Sequence, residues 1–220
     1  MSARNFGREA PCASGYSTGV PHILDFVIER LESRYLNEAE LRDLGIRNVG
    51  KNVRVSEDAT IVGLANIDLG SNIRIDSNVV ILSRRGWLKV GDNVHLEPAS
   101  SIVAHHGVSI GSYCTLSHGV RLFTASADYS GESFHNVFPD GRYQNPRIGA
   151  INLENHVIIG GNSVVMPGVN IGEGAAIGAL SFVRSSLDPW GIYGGNPIRR
   201  LGNRSTKIRD IAVQIEAGRL

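Results

Sequence analysis

Val49-Gly50-Lys51-Asn52-Val53-Arg54, Leu69-Gly70-Ser71-Asn72-Ile73-Arg74, Val90-Gly91-Asp92-Asn93-Val94-His95 and Ile110-Gly111-Ser112-Tyr113-Cys114-Thr115 are four spellings of one six-residue phrase. An aliphatic residue opens it, glycine follows, and a small or apolar residue stands fifth. The phrase breaks off at a long polar stretch and resumes as Ile159-Gly160, Val165-Met166, Ile171-Gly172, Ile177-Gly178 and Val183-Arg184. Self-similarity at a short fixed period marks a solenoid. The spacing predicts an all-β parallel helix in which three six-residue faces close one triangular coil. The opening aliphatics point inward, joined by fifth-position residues such as Val53, Ile73, Val94, Val169 and Ala175. Glycine, with Asn or Asp two residues later, is expected to supply the permissive backbone of each corner. An antiparallel sandwich would alternate polar and apolar residues with period two and carry no six-residue phase.

Coil openings at Val49, Leu69, Val90 and Ile110 lie slightly more than three units apart, so the early coils carry extra corner residues, among them Gly86-Trp87 and His105-His106-Gly107. From Leu153 to Val183 the phase is strict, and this half is expected to be the most regular. Composition fits one domain: 220 residues, 42% hydrophobic, with 26 glycines, well above the usual share of about 7%. A net charge of +1 with no basic stripe gives no reason to expect nucleic acid. No apolar run reaches the roughly 18 residues of a membrane span, and no apolar signal core opens the chain, so no membrane partner and a cytoplasmic location are expected. Cys12 and Cys114 make no disulfide framework, and Cys114, fifth in its unit, reads as a small buried hydrophobe.

Residues 1–48 read as a leader followed by a helical cap. Positions 1–20 lack periodicity, whereas Ile23, Leu24, Val27, Ile28, Leu31 and Tyr35 fall at helical spacing. Asn37 with Glu40 forms a capping-box-like start to a short second helix ending near Leu44. Residues 49–188 form the β-helix and 189–220 a tail, with Pro189-Trp190-Gly191 and Gly194-Gly195-Asn196-Pro197 breaking the repeat and a polar helix over Ser205 to Ala217. The insertion, 124–151, collects Asp128, Tyr129, His135, Asp140, Arg142 and Tyr143. Long loops inside compact repeats are disproportionately functional.

With these motifs in place, the stretch from about Asn37 to Leu201 resembles the hexapeptide-repeat acyltransferases of the left-handed β-helix type, in the galactoside and sugar acetyltransferase branch. Tyr35-Leu36-Asn37-Glu38-Ala39-Glu40-Leu41, Ala125-Ser126-Ala127-Asp128-Tyr129-Ser130-Gly131, Glu154-Asn155-His156-Val157-Ile158-Ile159-Gly160 and the closing Pro189-to-Pro197 run are most similar to enzymes that acylate dTDP-4-amino-4,6-dideoxyglucose. The resemblance implies a homotrimer with acetyl-coenzyme A lying in clefts between neighbouring prisms and the nucleotide-linked aminosugar near the loop. It carries pantetheine contacts to Ile158, Gly160, Gly161 and Ala179, and nucleotide-half contacts to Arg184, Ser185 and the phosphate-binding Arg199. Ile158 stands where many relatives have Trp. Loop residues Ser126, Tyr129, His135 and Arg142 fall where the sugar is read.

The sequence departs from the family at the base. Galactoside-type relatives place a histidine at the start of the loop; here Ala127 or Asp128 occupies that place. An amine needs less help than a hydroxyl, because once neutral it attacks a thioester unaided and only has to shed a proton. Asp128, as a partly desolvated carboxylate with a raised pKa, would serve as base or would hold the substrate cation; His118, before Gly119 at a corner, is the second candidate base. His105 and His106 read as exposed turn residues, His156 as a residue that orients its corner by hydrogen bonding, and His22, His95 and His135 carry no pattern of their own. Three functions stay open: aminosugar N-acetylation, sugar O-acetylation, and a different class, either a γ-carbonic-anhydrase-like metal protein or a non-catalytic scaffold. The metal protein needs a histidine pair five residues apart, which the sequence lacks, and no metal is expected.

Overall fold

A computed structural model describes residues 34–135 and 141–218. The leader, the helical pattern from Ile23 to Leu31, and Asp140 lie outside the described residues. The chain winds as a left-handed parallel β-helix of about seven turns. Each turn contributes one short strand to each of three sheets. The first face has nine strands, the core of which runs Val53–Ser56, Ile73–Ile75, Val94–Leu96, Thr115–Leu116, Ile158–Ile159 and Ala176–Ile177. The second has six, including Val80–Leu82, Ser101–Val103, Arg121–Phe123, Val164–Val165 and Phe182–Val183. The third also has six, from Asn48–Val49 through Ile67–Leu69, Leu88–Val90, Val108–Ile110 and Ile151–Leu153 to Asn170–Ile171.

Phrase-opening residues stack in register up the third face: Val49 on Leu69, Leu69 on Val90, Val90 on Ile110, Ile110 on Leu153 and Leu153 on Ile171. All but Val49 are buried, as are the fifth-position residues Val53, Ile73, Val94, Cys114, Val169 and Ala175. Each fully buried aliphatic contributes about 1.5–3 kcal/mol of transfer free energy, so the interior is one continuous hydrophobic column. Burial pushes the Cys114 thiol pKa up to about 12, which keeps it a neutral core residue.

The corner glycines have a different physical role from the expected one. Gly50, Gly70, Gly91 and Gly111 do not adopt positive φ. They are required by proximity: a Cβ on Gly70 would lie 2.5 Å from Asp92 Oδ1 and 2.7 Å from Gly91 O of the next coil. The left-handed residue comes two places later, where Asn52, Asn72, Asn93, Tyr113 and His156 have φ between 53° and 63°. Asn tolerates this region because its amide bonds locally, and here the amides form a ladder: Asn52 Nδ2 donates to Asn72 Oδ1 at 3.0 Å and Asn72 Nδ2 to Asn93 Oδ1 at 3.1 Å. Higher up, rings replace amides. Tyr113 stacks on His156 with centroids 5.0 Å apart, and Trp190 lies 6.1 Å beyond. Among the described residues no hydrogen bond reaches the His156 ring, which stacks instead, while the His156 carbonyl accepts from Arg204 at 2.7 Å.

The extra residues of the early coils all collect at the corner between the second and third faces: Leu64–Asn66, Gly86-Trp87 and His105-His106-Gly107. His106 is exposed there, while His105 is half-buried. The long insertion expands the same corner, between Phe123 and Ile151.

At the lower end Asn37 caps a helix over Glu38–Asp43, its Oδ1 accepting from Ala39 N and Glu40 N while Glu40 Oε2 accepts from Asn37 N. Leu41 of that helix is buried and closes the column. Tyr35 is not helical as its spacing implied: because the cap starts at Asn37, Tyr35–Leu36 stays extended and pairs antiparallel with Ser56 and Val55. At the upper end the first face continues beyond residue 188. Gly191–Gly194 pairs in parallel with Ala176–Ile177, and Arg199–Asn203 folds back on it antiparallel. The last helix, Lys207–Glu216, lies within the expected span and ties back when Tyr113 Oη donates to Glu216 at 2.9 Å. No described helix is long and apolar enough to cross a membrane.

Two stability outcomes are expected. Gly70→Ala, whose Cβ would meet backbone, should destabilise by about 1–3 kcal/mol, whereas Gly141→Ala, with open space around it, should move the urea midpoint little at equal protein concentration. Second, burial holds the His156 imidazole below its ordinary pKa of 6.5. Below that pH the unfolded chain binds a proton that the folded one resists, so stability should fall as pH drops from about 6.5. His156→Asn, which suits the left-handed backbone, should flatten that limb of a denaturation series while lowering stability above it through the lost stack.

Candidate functional site

The second face is flanked by two corners, and the expected site residues divide between them. The corner joining the first and second faces stacks Asp76-Ser77-Asn78, Glu97-Pro98-Ala99, Ser117-His118-Gly119, Gly160-Gly161-Asn162 and Gly178-Ala179-Leu180. His118 is on this edge with its side chain 70% exposed, and its Nδ1 lies 2.5 Å from Glu97 Oε2. The same oxygen accepts from the His118 backbone N–H at 3.2 Å. With Nδ1–H donating to the carboxylate, the tautomer leaves the Nε2 lone pair facing outward, the arrangement of a carboxylate-oriented general base.

Directly above His118 come Gly160, Gly161 and Ala179. A Cβ on Gly160 would lie 2.8 Å from Gly178 C, so that glycine is imposed by stacking. The Gly161 and Ala179 N–H groups, by contrast, donate to no acceptor among the described residues. They form a column of open amide donors on an edge almost bare of side chains, suited to the carbonyls of an extended amide chain. Leu180 tops this stretch with φ 58° and 73% exposure. Ile158 stands beside the column on the outside of the first face, 38% exposed.

The opposite corner carries the loop. Ala125–Ser126 pairs antiparallel with Arg147–Ile148, which closes the base of the insertion. Against the outside of the second face it leaves a cavity of about 400 Å³ walled by Phe123, Ser126, Tyr129, Val164, Met166 and Phe182. A second hollow of about 270 Å³ shares Phe182 and adds Arg184, Ser185, Asn196 and Pro197. Ser126 and Tyr129 therefore meet, as do Arg184 and Ser185. Arg199 is exposed on the returning strand, in register with Gly194. Arg142 belongs to a separate hollow inside the loop, with Phe134 and Tyr143, and His135 is exposed.

Asp128 does not have the environment expected of it. It is half-exposed, and its carboxylate accepts from Ser130 N at 2.8 Å and Ser133 Oγ at 2.7 Å. Those bonds, the Ser130 N–H foremost, hold its pKa below the ordinary carboxylate range rather than above it. Asp128 is thus a fixed anion, apt to hold a cation and a weak proton acceptor. The three residues of Arg121–Phe123 separate the His118 corner from the start of the loop, about 10 Å of strand at 3.3 Å per residue. Within one chain the structure places Asp128 and His118 on different edges.

Two partners escaped the sequence reading. Glu97 precedes His118 by 21 residues, and Asp76 precedes His95 by 19. Asp76 is buried, and His95 Nε2 lies 2.7 Å from its Oδ2, so His95 does belong to a pattern. The available signal was the coil repeat itself: residues about 20 apart stack. Among the described residues no three His, Cys, Asp or Glu side chains are grouped to hold a metal ion.

No protein-family model matches the sequence. The dTDP-4-amino-4,6-dideoxy-D-glucose acyltransferase of Escherichia coli is 35% identical over 177 residues, covering 80% of this chain and 92% of the relative. A chloramphenicol acetyltransferase of Klebsiella aerogenes is 32% identical over 44% of this chain and 51% of its own. Among solved structures, a serine-to-cysteine variant of AntD, an N-acyltransferase from Bacillus cereus, in complex with dTDP-4-amino-4,6-dideoxyglucose and coenzyme A, matches with a TM-score of 0.81 at 33% identity, over 84% of this chain and 98% of that one. AntD in complex with dTDP and 3-hydroxybutyryl-coenzyme A gives 0.80 at 33% identity, over 85% and 98%. A coil of this repeat, alike over most of its length to these acyltransferases, is that of an acyl-transfer enzyme. The chain belongs to the hexapeptide-repeat acyltransferase family.

If the His118 imidazole takes the proton, His118→Asn should lower kcat by about 10²–10⁴-fold. Glu97→Gln should give a smaller fall, because it removes only the orienting charge. The KM for acyl-coenzyme A should stay near wild type in both, measured by thiol release.

Proposed function

We propose that the protein transfers an acetyl group from acetyl-coenzyme A to the amino group of a nucleotide-linked deoxysugar of the dTDP-4-amino-4,6-dideoxyglucose class. The observation that carries this reading is likeness along nearly the whole fold to an acyltransferase and an N-acyltransferase associated with that sugar nucleotide. The coil geometry supports it. Pantetheine lies along Gly160, Gly161 and Ala179 beside Ile158, its carbonyls taking the free N–H donors. Arg184 and Ser185 meet the nucleotide half of the cofactor, and Arg199 its phosphate. Ser126, Tyr129, His135 and Arg142 of the loop read the sugar.

The neutral amine attacks the thioester carbon, forming the C–N bond; the tetrahedral intermediate passes a proton from nitrogen to His118 Nε2; the C–S bond breaks and that proton goes on to the departing thiolate. Asp128 accepts a hydrogen bond from the neutral amine before attack and stabilises the positive charge that the nitrogen gains as the C–N bond forms. An amine suits this site better than a hydroxyl because the loop offers an anion rather than a histidine where the acceptor enters. Our reading includes a homotrimer whose sites each join the His118 edge of one protomer to the loop of its neighbour, a cytoplasmic location, and a role in surface-polysaccharide synthesis, a process that consumes N-acylated deoxysugars.

A mixing experiment tests the shared site. His118→Asn and Asp128→Asn homotrimers should each be severely impaired with a dTDP-linked 4-aminosugar, the first in kcat and the second chiefly in KM. Equal co-expression should assemble trimers in which about a quarter of the sites draw both intact residues from different chains, restoring about a quarter of wild-type activity. No recovery would place both residues in one chain's site, and a monomeric mass by light scattering would remove the shared cleft.

A further inference from the structure

On the outside of the first face, below the His118 corner, Arg54 and Arg74 stand directly in register on neighbouring parallel strands, with His95 next in the same row. Like charges placed opposite one another on adjacent strands are destabilising, so the pair needs a reason. Among the described residues Arg74 alone of the two has a carboxylate partner: its Nε donates to Asp76 Oδ1 at 2.6 Å. Asp76, buried, is fully engaged, accepting also from Tyr35 Oη at 2.6 Å and facing His95 Nε2 at 2.7 Å. A second guanidinium nitrogen of Arg74 donates to Tyr35 Oη at 3.0 Å. The side chain is pinned at two nitrogens yet half exposed, at 50%. Arg54 is exposed, and its only contact among the described residues is with the Tyr35 ring, 5.9 Å from the centroid, while Arg74 lies 5.4 Å from the same ring.

Tyr35 and Asp76 thus hold two guanidinium groups side by side, with net charge left over. Above them the same row turns neutral through Thr115, Ile158, Ala176 and Ile192. The cationic end is therefore local, and it lies on the face that also bears Ile158. Paired guanidinium forks with unspent N–H donors match the geometry and charge of a diphosphate.

We infer that Arg54 and Arg74 bind the diphosphate of the nucleotide-linked substrate, with Tyr35 and Asp76 as positioning residues for the two guanidiniums. The assignment rests on the substrate reading above and adds to it where the nucleotide lies: on the lower coils, away from the Gly161–Ala179 amide edge. Two anionic ligands then have two separate ends of the molecule, which allows acceptor and acyl donor to be bound together with their reactive ends meeting near His118.

Equilibrium titration of the full chain with dTDP, inorganic pyrophosphate and coenzyme A tests this. Arg54 is exposed, so Arg54→Gln should fold normally and weaken dTDP binding about tenfold to a hundredfold, the range for a charged hydrogen bond, and Arg74→Gln should do the same. Pyrophosphate should compete with dTDP in the wild type, with the competition reduced in both variants, and coenzyme A affinity should change less than twofold. Tyr35→Phe, which removes one pin on Arg74 and keeps the ring, should weaken dTDP by a smaller factor. Unchanged dTDP affinity in both arginine variants would overturn the assignment, as would an equal loss for coenzyme A. The two readings fail separately. Acylation of a dTDP-aminosugar with wild-type KM in both variants would remove this site and keep the substrate class, whereas arginine-dependent dTDP binding by an enzyme that acylates no dTDP-aminosugar would keep the site and remove the substrate class.

Discussion

The closeness with which one coil rests on the next governs this molecule. Parallel strands stack at about 4.8 Å, and at the corner after Val49, Leu69, Val90 and Ile110 the stacking distance leaves no room for a side chain. A Cβ on Gly91 would lie 2.8 Å from Ser112 N, and one on Gly111 would lie 2.7 Å from Asn155 N. Glycine there is a packing requirement. The turn itself is made two residues later by amides and rings that accept positive φ, and because those residues also stack they become ladders: asparagine on asparagine, then tyrosine on histidine.

Strands under that constraint have little freedom, since each must pair above and below and send its aliphatics inward. Corners have more. A corner can be lengthened without disturbing the ladder, because Phe123 and Ile151 still meet their registers with a long excursion between them. All the lengthening falls at one corner, where earlier coils already carry Leu64–Asn66 and Gly86-Trp87. The corner at the other edge of the second face stays tight, and its economy is what leaves the Gly161 and Ala179 amides without an acceptor among the described residues. The loop provides enclosure and charge, while the tight edge provides backbone donors in a rigid line.

Stacking also sets the electrostatics. A carboxylate on one coil holds a histidine on the next, in the Asp76–His95 and Glu97–His118 pairs. The two differ in surroundings: Asp76 is buried and shared among three donors, whereas Glu97 orients a largely exposed ring. Asp128 follows a local rule instead. Its own turn supplies the Ser130 and Ser133 donors that stabilise its charge, and this is why a residue placed in the family's base position acts as an anion.

The sequence by itself determined the fold, the inward residues, the strict second half, the Asn37–Glu40 cap and the place of the loop, because each follows from a periodicity or a motif only a few residues long. It also put Ser126 with Tyr129 and Arg184 with Ser185, neighbours along the chain. Tertiary structure alone decided that Tyr35 is extended, that Gly191–Gly194 continues the first face, that Glu97 faces His118, and that Asp128 lies on the other edge from it. The physical reason is the coil length. With 20 or 21 residues in the early turns and a long insertion later, which side chain rests on which depends on how many residues each corner absorbs, and that number is settled only when the coils close and stack.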